Sequence, residues 1–253
     1  MTEFRPSGAP VDPVFILGGA AESVLLARAL ADALVPVVLA FESAPRGGGP
    51  LPDIAIEDLA TDDAALCDRL SSVGARAVVD ATHPFSDVPS RAAPLCRDLG
   101  LPYLRLRRPA WTPGPGDHWT EVADTETAAR LIPAGARVFV TTGRQSLDGL
   151  KGLRDAHLVV RQLGSPRPVP DMRNATFRFE TGPFSAAQEQ ATFADQQITT
   201  LLCNNSGGAS SRSKLDAARA LGLPVFLRTR PESPSGVREV DRLDDAMDWV
   251  ADQ

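Results

Sequence analysis

The sequence predicts an α/β protein with two domains, each built around a parallel β-sheet. Three observations support this class. Short apolar runs that suit buried strands alternate with helical periodicity along nearly the whole chain. The runs are almost continuously apolar, which is typical of parallel strands covered by helices on both faces. A stretch rich in proline and glycine, residues 109–116, separates two such sets of elements.

The first set of elements begins with a strand at 14–17, where four apolar residues are followed by two glycines. Helical spacing of apolar residues then runs over 22–33. Further helices are expected to begin near Thr61, whose neighbouring aspartates can cap a helix, and near Ser86. The remaining strands of this set are predicted at 35–41, 53–57, 77–80 and 103–106.

The second set repeats the pattern. Strands are predicted at 138–142, 157–162, 198–203 and 225–227, and helices at 211–221 and 243–251. We therefore expect an N-terminal α/β domain at 1–112 and a C-terminal α/β domain at 113–253, with a ligand cleft between them.

Composition narrows the class of protein. The chain has 253 residues, of which 43% are hydrophobic and 23% charged, as in soluble globular proteins. A net charge of −6 argues against nucleic acid as the main partner. No apolar run approaches the roughly 20 residues that span a bilayer, and no secretory signal is recognisable, so we expect a cytoplasmic protein without a membrane partner, as monomer or homodimer.

Cysteine and histidine give no sign of a metal site. The three cysteines are widely spaced, so we expect buried free thiols rather than disulfides or zinc ligands. The three histidines, His83, His118 and His157, lack metal-ligand spacing, and no hydrolase motif occurs.

Four predicted strands end in loops of unusual content, and ligands bind at the carboxyl ends of parallel strands. Small residues at 18–20 allow a phosphate to approach the backbone, although tight packing alone would also explain them. Thr82 and His83 follow a buried strand, where the histidine is either structural or functional. Residues 142–144 offer a hydroxyl, a glycine and a guanidinium that suit a diphosphate or a carboxylate. Residues 204–208 offer amides, a hydroxyl and exposed backbone N–H groups.

Several short motifs occur together in a fixed order: ILGG at 16–19, DATHPF at 80–85, RPAW at 108–111, TGR at 142–144 and NSGG at 205–208, followed by KL at 214–215 and AAR at 217–219. In combination they resemble the precorrin-6A reductase family of cobalamin biosynthesis. The resemblance extends from residue 14 to about 231. One departure is Ala20, where many relatives carry threonine, so a hydroxyl contact would be missing there.

The resemblance implies a reaction and a fold. NADPH would deliver hydride to one carbon of a ring C=C bond of precorrin-6A, giving precorrin-6B, and would lie between two Rossmann-like domains. The motifs do not separate the metal-free substrate from its cobalt-containing analogue. Two other functions stay open: another NADPH-dependent tetrapyrrole reductase, and a nucleotide-sensing module without turnover.

Site residues follow from these loops and from the resemblance. His83 is the candidate proton donor, and Arg46, after the second strand, is the candidate partner of the cofactor's 2′-phosphate. Exposed cations at the rim of an open groove are expected to bind the substrate's carboxylates, and the candidates are Arg105, Arg108 and Lys214. The predicted cofactor-binding residues are Gly18, Gly19, Ala20, Arg46, Thr82, His83, Thr142, Gly143, Arg144, Ser206, Gly207 and Gly208.

Overall fold

The computed structural model describes residues 12–42, 49–209 and 211–253, which form two compact units. The first unit combines the described residues up to Arg108 with Glu232–Gln253, and the second is Pro109–Pro231. Each contains a six-stranded sheet in which every pairing is parallel, flanked by helices. The predicted α/β class is confirmed. Within the described ranges, no helix is long and apolar enough to cross a membrane.

The elements up to Arg108 alternate between strand and helix for most of their length. In chain order they are β1 Val14–Gly18, α1 Ala21–Asp32, β2 Val37–Phe41, β3 Ala55–Asp58, α2 Asp63–Ser72, β4 Ala77–Ala81, α3 Val88–Asp98 and β5 Tyr103–Leu106.

The later elements continue the alternation. They are β6 His118–Val122, α4 Thr125–Leu131, β7 Arg137–Thr141, a 3₁₀ helix Arg144–Leu150, β8 His157–Leu163, β9 Ala175–Glu180, α5 Ala186–Asp195, β10 Thr200–Asn204, α6 Ser213–Ala220, β11 Pro224–Arg228, β12 Arg238–Val240 and α7 Leu243–Ala251.

The two sheets share one spatial strand order. The first runs β3-β2-β1-β4-β5-β12 and the second β9-β8-β7-β10-β11-β6. The first is the 3-2-1-4-5-6 order of dinucleotide-binding domains, in which the chain moves outward in opposite directions from the central strand. The second matches this order from β7 onward, except that its edge strand β6 precedes β7 in the chain instead of following β11. The switch point therefore lies between β1 and β4 in the first unit and between β7 and β10 in the second. In such sheets ligands bind at the carboxyl ends of the strands flanking this point.

Both faces of the first sheet are covered, as the continuous apolar strands predict. Val14 and Ile16 of β1 pack with α1 and α7 on one face, and Phe15 and Leu17 pack with α2 and α3 on the other. The strand's period of two thus divides its residues between two apolar layers.

The C-terminal residues belong to the first unit, which differs from the expected C-terminal domain at 113–253. Strand β12 pairs with β5, with Arg238 opposite Leu104, and Arg107 forms an ion pair with Glu239 at 2.8 Å. On α7, Ala246, Trp249 and Val250 join the core that contains β1. The apolar face of α7 would be exposed without this sheet, and sequence order alone does not reveal that pairing.

Two of the three cysteines are buried, and all three are free. Burial raises the pKa of Cys96 to about 12 and that of Cys203 to about 11, so both stay as thiols at neutral pH. Cys67 is partly exposed, so the expectation of buried free thiols holds for two of the three.

We expect Trp249→Ala to lower the free energy of unfolding of the first unit by about 3–5 kcal/mol, because it leaves a large cavity under β1. Chemical denaturation, followed by circular dichroism, measures this change. Asp248→Ala, on the exposed side of the same helix, is the matched control and should change stability by less than about 0.5 kcal/mol. Equal stability of the two variants would contradict the placement of α7 in the first core.

Candidate functional site

The first switch point brings together the loops after β1 and β4. Gly18 lies opposite Ala81 in the parallel register, and the backbone N–H of Ala20 donates to the Ala81 carbonyl at 3.1 Å. A Cβ atom on Gly19 would lie 3.1 Å from the backbone nitrogen of His83. A side chain at 19 would therefore push the two loops apart by a few tenths of an ångström. Ala20 is the N-cap of α1 and has no side-chain oxygen to bond the first N–H groups of the helix.

A buried carboxylate organises the loop after β4. The Oδ1 atom of Asp80 accepts two hydrogen bonds from Thr82, from the backbone N–H at 2.9 Å and the hydroxyl at 2.6 Å. Its Oδ2 atom accepts the hydroxyl of Tyr103 at 2.6 Å. Burial, followed by the charge of Asp80, raises the pKa of Tyr103, so its hydroxyl remains a donor. Asp80 thereby fixes the conformation of the residue that precedes His83.

His83 lies half-buried at the same edge of the sheet. Its Nδ1 atom accepts the backbone N–H of Phe85 at 3.2 Å. A neutral imidazole that accepts at Nδ1 carries its proton on Nε2. The loop thus leaves Nε2 as the nitrogen that carries the hydrogen and can donate a hydrogen bond.

The second switch point is formed by the loops after β7 and β10. The side-chain amide of Asn204 donates to the carbonyl of Thr142 at 3.0 Å, and Ser146 donates to the Thr142 hydroxyl at 2.7 Å. Gly143 has a φ of +86°, in the region that favours glycine, and begins the 3₁₀ helix. Thr142 is buried, whereas Arg144 is exposed and donates no hydrogen bond to any described residue.

Two buried polar atoms at this edge have no hydrogen-bond partner among the described residues. They are the hydroxyl of Thr141, at the end of β7, and Oδ1 of Asn204, at the end of the adjacent β10. Buried polar groups in proteins are nearly always satisfied, and exceptions gather at functional sites. Both atoms lie where a parallel sheet of this order takes its ligand.

The loop after β10 packs against the segment that begins the second unit. Asn205 accepts the backbone N–H of Trp111 at 2.8 Å and donates to its carbonyl at 3.0 Å. The indole N–H of Trp111 donates to the Gly208 carbonyl at 2.9 Å. A Cβ atom on Gly207 would lie 2.1 Å from the Pro109 carbonyl, so glycine is needed there for packing. Ser206 is buried in the same loop.

Two of the three expected rim cations are buried, and the expectation of exposed cations is wrong for them. Arg105 is 2% exposed and donates to Ser233 at 2.7 Å, and burial lowers the pKa of its guanidinium. Lys214 is 8% exposed, donates to the Ser211 carbonyl and lies 5.1 Å from the centre of the Trp111 ring. Arg105 is buried because of its position on β5, and Lys214 because of its position near the N-terminus of α6. The charge of these residues gives no sign of either orientation.

The remaining predicted residues are placed as follows. Arg108 forms an ion pair with Glu22, in the first turn of α1, at 2.7 Å, which brings it beside the loop after β1. Arg46 lies outside the described residues. Reasoning from the sequence placed Asp80 and Asn204 in the strand-end loops but gave them no role, and it missed the contacts of Tyr103 and Trp111 with these edges. The available signal was a single carboxylate, Asp80, at the end of an otherwise apolar strand.

A family model described as "Precorrin-6x reductase CbiJ/CobK" matches residues 13–251. The chain belongs to this family. Among its relatives, "Precorrin-6A reductase" of Rhodococcus erythropolis is 40% identical over 246 residues, covering 94% of this chain and 96% of the relative. The solved structure "CobK precorrin-6A reductase" superposes with a TM-score of 0.85 at 32% identity, covering 96% and 97% of the two chains. "Cobalt-precorrin-6A reductase" of Priestia megaterium is 29% identical over 68% of this chain and 71% of the relative.

We expect Asp80→Asn to lower the free energy of unfolding by about 1–3 kcal/mol, because the charge-assisted hydrogen bonds from Thr82 and Tyr103 are weakened. Urea denaturation of the variant against the unmodified chain measures the loss. Tyr103→Phe, which removes one of the three bonds, should have a smaller effect. An Asp80→Asn variant as stable as the parent would show that the carboxylate does not organise the loop.

Proposed function

We propose that this chain catalyses the NADPH-dependent reduction of a ring C=C bond of precorrin-6A, giving precorrin-6B in cobalamin biosynthesis. The observation that carries the proposal is the coincidence of the family's motifs with the two switch points. Residues 18–20 and 82–83 flank one of them, and residues 142–144 and 204–208 flank the other. The reductase relatives also match nearly the whole chain rather than one unit of it.

The residues present fit a dinucleotide. Gly19 leaves the backbone of the first loop open where a side chain would meet His83, and the N-terminus of α1 has no side-chain cap. A helix N-terminus of this kind favours a phosphate. Thr141 and Asn204 add buried polar atoms without partners among the described residues, at the second edge. Arg46 follows β2 in the sequence, where dinucleotide-binding folds place a cation for the 2′-phosphate, and this position favours NADPH over NADH.

NADPH, when bound, supplies the hydride that is added to one carbon of the substrate's double bond. The chain's own residues would bind and orient the cofactor and the substrate, and would supply the proton. Asp80 holds Thr82 and thereby sets the position of His83. His83 would protonate the second carbon from its imidazolium form, which requires the contact between its Nδ1 atom and the Phe85 N–H to open. Loss of the Nε2 proton then returns the ring to neutral imidazole and completes the reduction. Arg108, anchored by Glu22 beside the first loop, is the remaining candidate for a substrate carboxylate.

The metal-free precorrin is the proposed substrate. The Rhodococcus relative named for it is 40% identical over 94% of the chain, whereas the Priestia relative named for the cobalt form is 29% identical over 68%. The assay below therefore compares both compounds.

The test is a direct assay of the purified chain. Precorrin-6A should cause loss of NADPH absorbance at 340 nm, faster than with NADH and faster than with cobalt-precorrin-6A. Binding of NADPH without its oxidation in the presence of either substrate would instead favour a nucleotide-sensing module.

We expect Arg144→Ala to raise the KM for NADPH by about 10- to 100-fold, because a charge-assisted hydrogen bond to an anion contributes roughly 1.5–3 kcal/mol. Steady-state kinetics with varied NADPH measures the change. Arg154→Ala, an exposed arginine after the 3₁₀ helix, is the control and should leave the KM unchanged. An unchanged KM in Arg144→Ala would remove Arg144 from the cofactor site.

We expect His83→Ala to lower kcat by about 10²- to 10⁴-fold, because it removes the proposed proton donor. Kinetics at saturating NADPH and substrate measure kcat, and His118→Ala, on the exposed strand β6, is the control. A variant that keeps its kcat but has a higher KM for NADPH would refute the role as acid. His83 would then act by positioning the cofactor.

A further inference from the structure

Gln162 is a buried amide at a position where the sheet otherwise carries apolar residues. It follows Leu158 and Val160 on one face of β8, and both of these belong to the apolar core of the second unit. Gln162 is 6% exposed, yet its Nε2 atom has no hydrogen-bond partner among the described residues. An unpaired buried donor destabilises a fold, so its presence points to a partner supplied from outside the chain.

Gln162 lines a small crevice at the carboxyl end of β8, and the crevice is basic. Its other lining residues include Arg144, Arg167 and Phe177. Arg167 makes only a long contact, 3.5 Å, to the Leu163 carbonyl, and Arg144 makes no hydrogen bond to a described residue. A buried amide donor and two arginines around one crevice match a ligand group with several acceptor oxygens and negative charge.

The position of the crevice in the sheet identifies the group. By position at the switch point, β7 takes the place of the first strand of the dinucleotide-binding order and β8 that of the second, although β6 precedes both in the chain. Dinucleotide-binding domains recognise the adenosine ribose at the end of the second strand, about 20 residues after the glycine loop, and an arginine there accommodates the 2′-phosphate of NADP. Gln162 and Arg167 occupy this position relative to Gly143, and Arg144 adjoins the glycine itself.

We propose that Gln162, Arg167 and Arg144 bind the 2′-phosphate of the cofactor's adenosine ribose, and that this crevice selects NADPH over NADH. The inference rests on the proposed function only in taking the cofactor to be NADPH. It moves the selectivity from Arg46, where the sequence places it, to the second unit. Pro168 and Phe177, which also line the crevice, offer apolar surface to the adenosine.

The test compares two nucleotides that differ only in the 2′-phosphate, adenosine 2′,5′-bisphosphate and 5′-AMP, by isothermal titration calorimetry. The unmodified chain should bind the bisphosphate more tightly. Arg167→Ala should weaken bisphosphate binding by about 10- to 100-fold and leave 5′-AMP binding unchanged, because only the phosphate contact is lost. Arg173→Ala removes an exposed guanidinium from the same loop and should change neither affinity.

Gln162→Met separates a binding role from a packing role. It keeps the shape of the side chain and removes an unsatisfied amide, so the melting temperature of the free chain should be unchanged or higher. Bisphosphate affinity should nevertheless fall by about 3- to 10-fold, with 5′-AMP unaffected. A clear drop in melting temperature would assign Gln162 to the core and overturn its proposed role.

The remaining outcomes are separable. If the unmodified chain prefers the bisphosphate but Arg167→Ala and Gln162→Met keep that preference, the crevice is not the phosphate site. Loss of preference in Arg46→Ala alone would place the site in the first unit. If the unmodified chain does not distinguish the two nucleotides, selectivity for NADPH itself fails, and the proposed cofactor fails with it.

Discussion

Parallel pairing is the constraint on which both units depend. Every strand pair in the two sheets is parallel, so each strand must be followed by a connection that returns the chain to the same end of the sheet. All strands of a sheet then finish at one edge. Because β1 and β7 lie in the middle of their sheets, the connections that leave them and the neighbouring β4 and β10 diverge and leave a crevice between them. The polar strand-end residues of both units collect at these edges for that reason.

The carboxyl edges carry polar groups that the apolar strands would otherwise exclude. Asp80 and Asn204 end strands that are buried along their whole length, yet the first is fully hydrogen-bonded and the second retains a free acceptor among the described residues. The hydrogen-bonded carboxylate fixes the loop at the first edge, whereas the second edge keeps buried polar atoms that have no partner among the described residues and that we propose a ligand satisfies. Burial without a partner costs stability, and proteins accept that cost mainly at sites of function.

The sequence predicted the central strands of the two sheets well and most of the edge strands poorly. Central strands such as β1 and β4 have strong apolar signals and were located within one residue. The edge strands β6, β9 and β12 were missed because their residues are mostly exposed or half-buried and lack a continuous apolar run. The strand-end loops were found from their composition, but the inward course of Arg105 and Lys214 depends on tertiary packing, which charge alone does not encode.

The pairing of the C-terminal residues with the first sheet affects the order in which the two units can fold during translation. Trp249 and β12 are translated after the whole of Pro109–Pro231, although they complete a core that begins at β1. All residues of the second unit are therefore synthesised before the first unit is complete, so the second unit can fold on the ribosome. The first unit remains incomplete until α7 has been translated. For the same reason no single cleavage of the chain yields both units intact.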